Sequence, residues 1–157
     1  MRDLVKAFKA LSEETRLRIL NILLERECCV CEVMQALGIS QTRASRNLNA
    51  LYDAGFLKLR KDGLWSIYSI DREGMKRYLP DLVEAVTKGL EGNKLARQDR
   101  ERLRKAERVG PGCAERIRNI ALTFPPKTRP VIMRVFRSKE EKEDSTWGVG
   151  NTLTSRL

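Results

Sequence analysis

Leu37-Gly38-Ile39-Ser40 is the stretch that most narrows what this chain can fold into. Before it, Val30, Val33, Met34 and Leu37 recur at the spacing of one helix face, which predicts a helix from Cys28 to Leu37. Gly38 suits the position just past a helix end, where the backbone turns left-handed. Ser40 is a good N-cap, and the next run predicts a second helix continuing to Ala54 and closed by Gly55. Two short helices joined by such a glycine turn form a helix-turn-helix.

The flanks extend the pattern. Leu4, Ala7, Phe8 and Leu11 predict a helix over residues 2–11. Ser12 reads as the N-cap of the next helix, with Glu13 and Glu14 in its first turn and Leu17, Ile19, Leu20, Leu23 and Leu24 as its apolar stripe. After Gly55, Leu57 and Leu59 alternate with basic residues, and Trp65, Ile67 and Tyr68 continue in strand-like fashion. Asp62-Gly63 between them is a strong hairpin signal. From Asp71 to Arg108 the chain reads as helical again, with Met75, Leu79, Leu82, Val86 and Leu90 on one stripe and Gly89 and Gly92 weakening its middle. Beyond Asn93 charge dominates nearly all round, with Leu95, Leu103 and Ala106 as apolar exceptions, until Gly110-Pro111-Gly112. The expected fold is therefore mainly α with a β-hairpin wing, a winged helix-turn-helix, and dimeric. Residues 1–92 should form the DNA-binding and dimerisation domain, 93–109 a charged helical extension, and 110–157 a tail of different character.

Charge and composition limit the function. The net charge of +10 favours a polyanionic partner. The absence of histidine excludes Ser-His-Asp and Cys-His catalysis, HExxH zinc sites and His-dependent zinc fingers. No phosphate-binding glycine motif occurs, so the chain is not expected to be an enzyme. No apolar run has membrane-spanning length and no signal-peptide core opens the sequence, so the expected location is cytoplasmic, without a membrane partner.

On the helix expected after Ser40, Ala44, Leu48 and Leu51 cluster on one side. Thr42, Arg46, Asn49 and Asp53 fall opposite, flanked by Arg43 and Ser45. Guanidinium, amide and hydroxyl groups are the types that read base edges in duplex DNA. Gln41 and Thr42 at the helix start suit a phosphate contact. On the hairpin, Arg60, Lys61 and Trp65 are the expected contacts with the backbone or an adjacent groove. Leu4, Phe8 and Leu11 with Leu79, Leu82, Val86 and Leu90 offer more apolar surface than one small domain covers, and predict a two-fold homodimer interface. Two reading helices would then sit about 34 Å apart on a near-palindromic operator.

The order of elements, with Phe8-Lys-Ala-Leu-Ser12-Glu-Glu-Thr-Arg-Leu-Arg-Ile-Leu20 and Ser40-Gln-Thr-Arg-Ala-Ser-Arg46-Asn-Leu-Asn-Ala-Leu51-Tyr-Asp-Ala-Gly55, resembles the ArsR/SmtB family of metalloregulatory repressors over roughly residues 3–90. Asn47 departs from the family pattern, which often has His there. The resemblance implies a repressor released from operator DNA by an ion.

Cys28, Cys29 and Cys31 fall within four residues, with Cys113 far along the chain. Glu27-Cys-Cys-Val-Cys-Glu-Val33 resembles the family's ELCVCDL segment, which binds thiophilic ions, with Cys29 and Cys31 at the matching positions. Met34 stands where some arsenic sensors carry a further Cys. Soft thiolates select soft ions. Arsenite or antimonite is the leading expectation, with cadmium, lead or zinc as alternatives and Cys28 or Cys113 as the third thiolate. On a helix, residues 29 and 31 stand about 200° apart, so joint chelation should unwind the first turn and shift the reading helix, whereas Cys28 and Cys31 would share a face. The remaining readings are a buried, inert cluster, a redox repressor working through vicinal Cys28 and Cys29, and a small thiol oxidoreductase, which would lack its usual βαβ context.

Overall fold

The computed structural model describes residues 1–109. The elements are α1 (Arg2–Leu11), α2 (Glu14–Glu25), β1 (Cys28–Cys29), α3 (Val30–Leu37), α4 (Gln41–Asp53), β2 (Leu57–Asp62), β3 (Trp65–Ile70), α5 (Leu79–Gly89) and α6 (Lys94–Arg104). The architecture is the expected helix-turn-helix with a hairpin wing. The three strands form one antiparallel sheet in the order β1-β3-β2.

The helix-turn-helix forms for the expected reasons. Gly38 closes α3 at φ +68°, a left-handed conformation in which an L side chain would be strained. Ser40 caps α4, its hydroxyl accepting the Arg43 N–H at 3.3 Å. Ala44, Leu48 and Leu51 of α4 are buried against Ile19, Leu20, Ile22 and Leu23 of α2 and Val33, Met34 and Leu37 of α3 in the principal core. Asp62 pairs with Trp65 at the end of the β2–β3 ladder, so Gly63-Leu64 form a two-residue turn at the wing tip.

Three local expectations are corrected. Ser12 does not cap α2. It ends α1, its N–H and hydroxyl both donating to the Lys9 carbonyl, while the Glu13 carboxylate accepts the Arg16 N–H at 3.1 Å and caps α2. The third helix starts at Val30 rather than Cys28, because Cys28 and Cys29 are extended and pair with Tyr68 and Ile67 of β3. The sheet ladder supplies those residues with the hydrogen bonds a first helical turn lacks.

The third correction is the largest. The segment from Asp71 to Arg108 is two helices, not one. Residues 71–78 are turns and irregular backbone, and α5 ends at Gly89. Gly92 at φ +72° then reverses the chain, and the Asn93 side chain caps α6 by accepting the Ala96 N–H at 3.0 Å. The second helix folds back onto α2 and α3. Ala96, Asp99 and Leu103, at helical spacing, form its buried face. Asn21 of α2 donates to the Ala96 carbonyl at 3.0 Å, and Arg102 donates to the Ala36 carbonyl at 3.0 Å. No helix among the described residues is long and apolar enough to cross a membrane.

Candidate functional site

The outer face of α4 carries the expected polar groups. Gln41, Thr42, Arg43, Arg46 and Asn49 are exposed, and Ser45 is half-buried. They are not equally free. Arg43 turns back toward α2, donating to the Thr15 hydroxyl at 2.7 Å and lying 3.5 Å from a Glu13 carboxylate oxygen. Asn49 accepts a hydrogen bond from the Tyr68 hydroxyl of the wing at 3.2 Å. Arg46 forms no ion pair among the described residues. Asn47 is buried, where it donates to the Arg43 carbonyl at 2.9 Å and accepts from Arg16 at 3.3 Å. It therefore pins α4 to the start of α2.

The wing divides its residues differently from expectation. Lys61 is exposed and donates to the Ser66 hydroxyl at 2.7 Å. Arg60 is drawn to carboxylates, with its Nε 3.3 Å from Glu27 and its Nη1 3.2 Å from Asp62. Trp65, expected at DNA, is half-buried and packs instead on Cys29, Cys31 and Ile67. Strand alternation explains this, since Trp65 and Ile67 share one face of β3 and that face looks toward the cysteines.

Among the residues expected at a dimer interface, Leu4 and Phe8 of α1 are exposed, Phe8 at 54%, and neighbouring Val5 is exposed with them. Leu11, Leu82, Val86 and Leu90 are half-buried. Leu79 is corrected: it is 1% exposed and belongs to the monomer's own core, its Cδ1 lying close under Gly55.

The cysteine segment is a strand-to-helix junction. Cys29 has φ −84° and ψ 170° and is the N-cap of α3, while Cys31 lies within its first turn. The helical projection that set their sulfurs apart therefore does not apply. The two sulfurs converge to 2.6 Å in a small cluster separate from the principal core, lined by Ile67 and Trp65. Cys28 does not share a face with Cys31. It points into the principal core, its Sγ 3.4 Å from the Arg26 carbonyl, as alternation along a strand requires. Burial pushes the Cys28 thiol up to about 12. The contact with Cys31, then burial, raises Cys29 further. Both are thiols at neutral pH.

Glu32 organises this junction. Its carboxylate is buried, accepting the Cys29 N–H at 2.7 Å and pairing with Arg26 at 2.6 Å. Burial pushes the carboxyl up, but the Cys29 N–H and Arg26 outweigh it and hold the pKa below the usual value. Arg108 lies 3.5 Å away as a second cation. The segment after α6 runs alongside: Gln35 exchanges hydrogen bonds with the backbone of Glu107, and the Val109 carbonyl is 3.5 Å from the Cys31 sulfur. Among the described residues no three Cys, Asp or Glu side chains are gathered as a metal site. The two sulfurs offer two soft ligands. Cys113 lies outside the described residues.

Sequence reasoning missed the roles of Glu32, Trp65 and Asp99. For Glu32 the signal is local, three residues after the Cys29 cap; for Trp65 and Asp99 spacing puts the side chain beside core positions, but the groups they meet come from distant segments.

A sequence model described as "Bacterial regulatory protein, arsR family" matches residues 13–61. The chain is 43% identical to a cadmium resistance transcriptional regulatory protein, a CadC homolog of Staphylococcus aureus, over 48% of this chain and 63% of the relative. It is 42% identical to the arsenic resistance transcriptional regulator ArsR1 of Pseudomonas putida, over 53% of this chain and 62% of the relative. An HTH-type transcriptional regulator of Methanocaldococcus jannaschii is 40% identical over 46% of this chain and 82% of its own length. The chain thus spans a little under two thirds of the first two relatives. Together with the winged helix-turn-helix fold, these matches show that the chain belongs to the arsR family of bacterial regulatory proteins.

Proposed function

We propose that this protein is a dimeric, cytoplasmic repressor that binds operator DNA and is released by arsenite or antimonite bound through Cys29 and Cys31. The observation that carries the reading is the convergence of these two sulfurs at 2.6 Å where the strand that pairs with the wing runs into α3. The arsenic and cadmium resistance regulators among its relatives support a thiophilic inducer.

Arsenious acid suits buried thiols. Each thiol replaces one hydroxide on arsenic and gives its proton to that hydroxide, which leaves as water. Three thiols thus yield one trithiolate and three waters, with no net proton released. A cadmium ion would instead have to displace protons from the same thiols. Cys113 is the third ligand of this proposal. The Val109 carbonyl lies at Cys31, and four further residues reach at most about 14 Å. Cys28 points to the opposite side of its strand.

The signal passes through the wing. Cys29 is paired with Ile67, and Glu27 is ion-paired with Arg60, so movement of the cysteine segment pulls on both strands of the hairpin. This replaces the route through an unwinding helix, since Cys29 is already outside α3. An inducer must favour the DNA-free form, typically by about 1–3 kcal/mol. In the bound form Arg46, Asn49, Ser45 and Thr42 face the major groove, Gln41 and Lys61 contact phosphates, and Arg43 remains anchored to α2. The exposed Leu4, Val5 and Phe8 with Leu82, Val86 and Leu90 cover one another across a two-fold axis.

A redox repressor is the second reading. The sulfur convergence favours a Cys29–Cys31 couple over vicinal Cys28 and Cys29: two thiols and one peroxide would give a disulfide, an alcohol or water, and one water. Full-length protein on its own promoter DNA, titrated separately with arsenite, antimonite, cadmium and peroxide, decides between them. Arsenite should release DNA from the native protein and not from Cys31→Ser. Release by peroxide alone, reversed by dithiothreitol, would establish the second reading instead.

A further inference from the structure

Trp65 is half-buried beside the sulfur pair. It occupies the first position of β3, across from Asp62, with its side chain on the same face as Ile67. Ile67 stands opposite Cys29. The same antiparallel count sets Trp65 level with residue 31, where the chain has left the strand for α3. The ring accordingly packs on Cys29, Cys31 and Ile67 and closes the small cluster that holds the sulfur pair.

The indole nitrogen is the second observation. Trp65 Nε1 is buried and has no hydrogen-bond partner, and it is the one buried side-chain nitrogen or oxygen among the described residues in that condition. A buried donor without an acceptor is costly, and native structures seldom keep one without a reason. A phenylalanine or leucine would close the same cluster without the cost. What the surroundings lack is negative charge on sulfur, and that appears when both thiols give up their protons on binding an ion, to solvent for cadmium or to the departing hydroxide of arsenious acid, which leaves as water.

We propose that Trp65 is a positioning residue of the Cys29–Cys31 ion site, its ring roofing the sulfur pair and its indole N–H donating to a thiolate sulfur once an ion is bound. This rests on the reading that the pair binds a thiophilic ion. Hydrogen bonds to ligating atoms orient them and tune affinity, and losing one commonly costs about 10–100-fold in binding. The roof keeps water from the ion, and the N–H stabilises the sulfurs in their ligating state. Trp65 also opens the strand that follows the wing tip, so the donor that responds to the ion is part of the hairpin.

The full-length chain has a second tryptophan, Trp147, so Trp147→Phe leaves Trp65 as the single indole emitter. In that protein arsenite, and separately cadmium, should change Trp65 emission with saturation at one ion per chain. The change should vanish in a Cys29→Ser, Cys31→Ser background. In otherwise native protein, Trp65→Phe keeps an aromatic roof and removes the N–H. Its cadmium affinity, measured by chelator competition, should fall about tenfold. Its melting temperature without ion should hold or rise, because an unsatisfied donor is gone. A purely structural tryptophan makes the opposite pair of forecasts, a lower melting temperature and an unchanged affinity. Unchanged affinity in Trp65→Phe, or Trp65 emission indifferent to an ion that demonstrably binds, overturns the proposal. So does absence of ion binding to the native chain. If emission and affinity respond as stated while DNA stays bound, the positioning role stands and the repressor reading fails. If arsenite releases DNA through Cys31 with Trp65 indifferent, the repressor reading stands and this one fails.

Discussion

Cys29 lies directly across the β1–β3 ladder from Ile67, so one sulfur of the thiol pair and the wing belong to a single hydrogen-bonded sheet. Movement of Cys29 is therefore felt by β3 as well as by α3, whose N-cap it is, and reaches α4 only through them. Arsenite should change amide-exchange protection at residues 65–70 more than at residues 43–53 of α4. Equal changes, or a change confined to α4, would rule out the wing as the first element to respond.

On the outer face of α4, Arg43 is anchored to α2 while Arg46 forms no ion pair among the described residues. Arg46→Ala should lower specific affinity and relax base preference, since a good bidentate base contact gives about 1–3 kcal/mol of discrimination. Arg43 is tied to Thr15 and Glu13, so Arg43→Ala should lower stability more than sequence preference. Lys61→Ala should weaken all sequences alike and reduce the salt slope by about one unit. Quantitative binding to operator and scrambled duplexes across a salt series checks all three. Loss of base preference in Lys61→Ala but not in Arg46→Ala would exchange the roles of wing and helix.

Asp99, fully buried on α6, is gripped at two points by Arg18 of α2, Nε to Oδ2 at 2.7 Å and Nη2 to Oδ1 at 2.9 Å. Arg102 supplies a further contact at 3.2 Å. Breaking a buried pair by removing one partner strands the other, at a cost of about 3–5 kcal/mol. Arg18 retains some exposure and a bond to the Leu37 carbonyl, which places Asp99→Ala at about 3 kcal/mol in urea unfolding. Because α6 leads to the contact between Val109 and Cys31, the same substitution should weaken arsenite binding. Undiminished arsenite affinity would mean that α6 docking and the thiol site are independent.

Periodicity carried the sequence reading where a residue's partner is local. The turn at Gly38, the cap at Ser40 and the inner face Ala44, Leu48 and Leu51 follow from spacings of three and four residues, and all appear in the structure. The reading failed where a distant element overrides local preference. Cys28 and Cys29 continue a helical pattern on paper, but pairing with Tyr68 and Ile67 takes them as strand. Asp99 and its charged neighbours suggested a solvated helix, and only the opposing Arg18, 81 residues away in sequence, makes burial of that face favourable. Arg60 and Trp65 follow the composition of a DNA-contacting wing, yet Glu27 holds Arg60 in a surface ion pair and the sulfur pair draws Trp65 inward. In each case the missing information was a partner from elsewhere in the chain.

Glu13 offers the last test, because it separates two capping assignments that a sequence pattern cannot distinguish. Its carboxylate accepts the Arg16 N–H at 3.1 Å and lies 3.5 Å from Arg43, while Ser12 bonds only backward to Lys9 within α1. Burial pushes the Glu13 carboxyl up, but hydrogen bonds from the Thr15 hydroxyl and the Thr15 and Arg16 N–H groups outweigh it, so its pKa lies below the ordinary 4.5. A carboxyl depressed in the folded state adds stability that is fully present above its unfolded value and is lost as pH falls through its folded value. Glu13→Ala should therefore cost about 1 kcal/mol at neutral pH, typical of a lost N-cap, and Ser12→Ala clearly less. Below the folded pKa the gap between native protein and Glu13→Ala should close. Urea unfolding of the three proteins at neutral pH and through the acid range reads this directly. A Ser12→Ala cost equal to or above that of Glu13→Ala, or a Glu13→Ala deficit that persists unchanged in acid, would return the cap of α2 to Ser12.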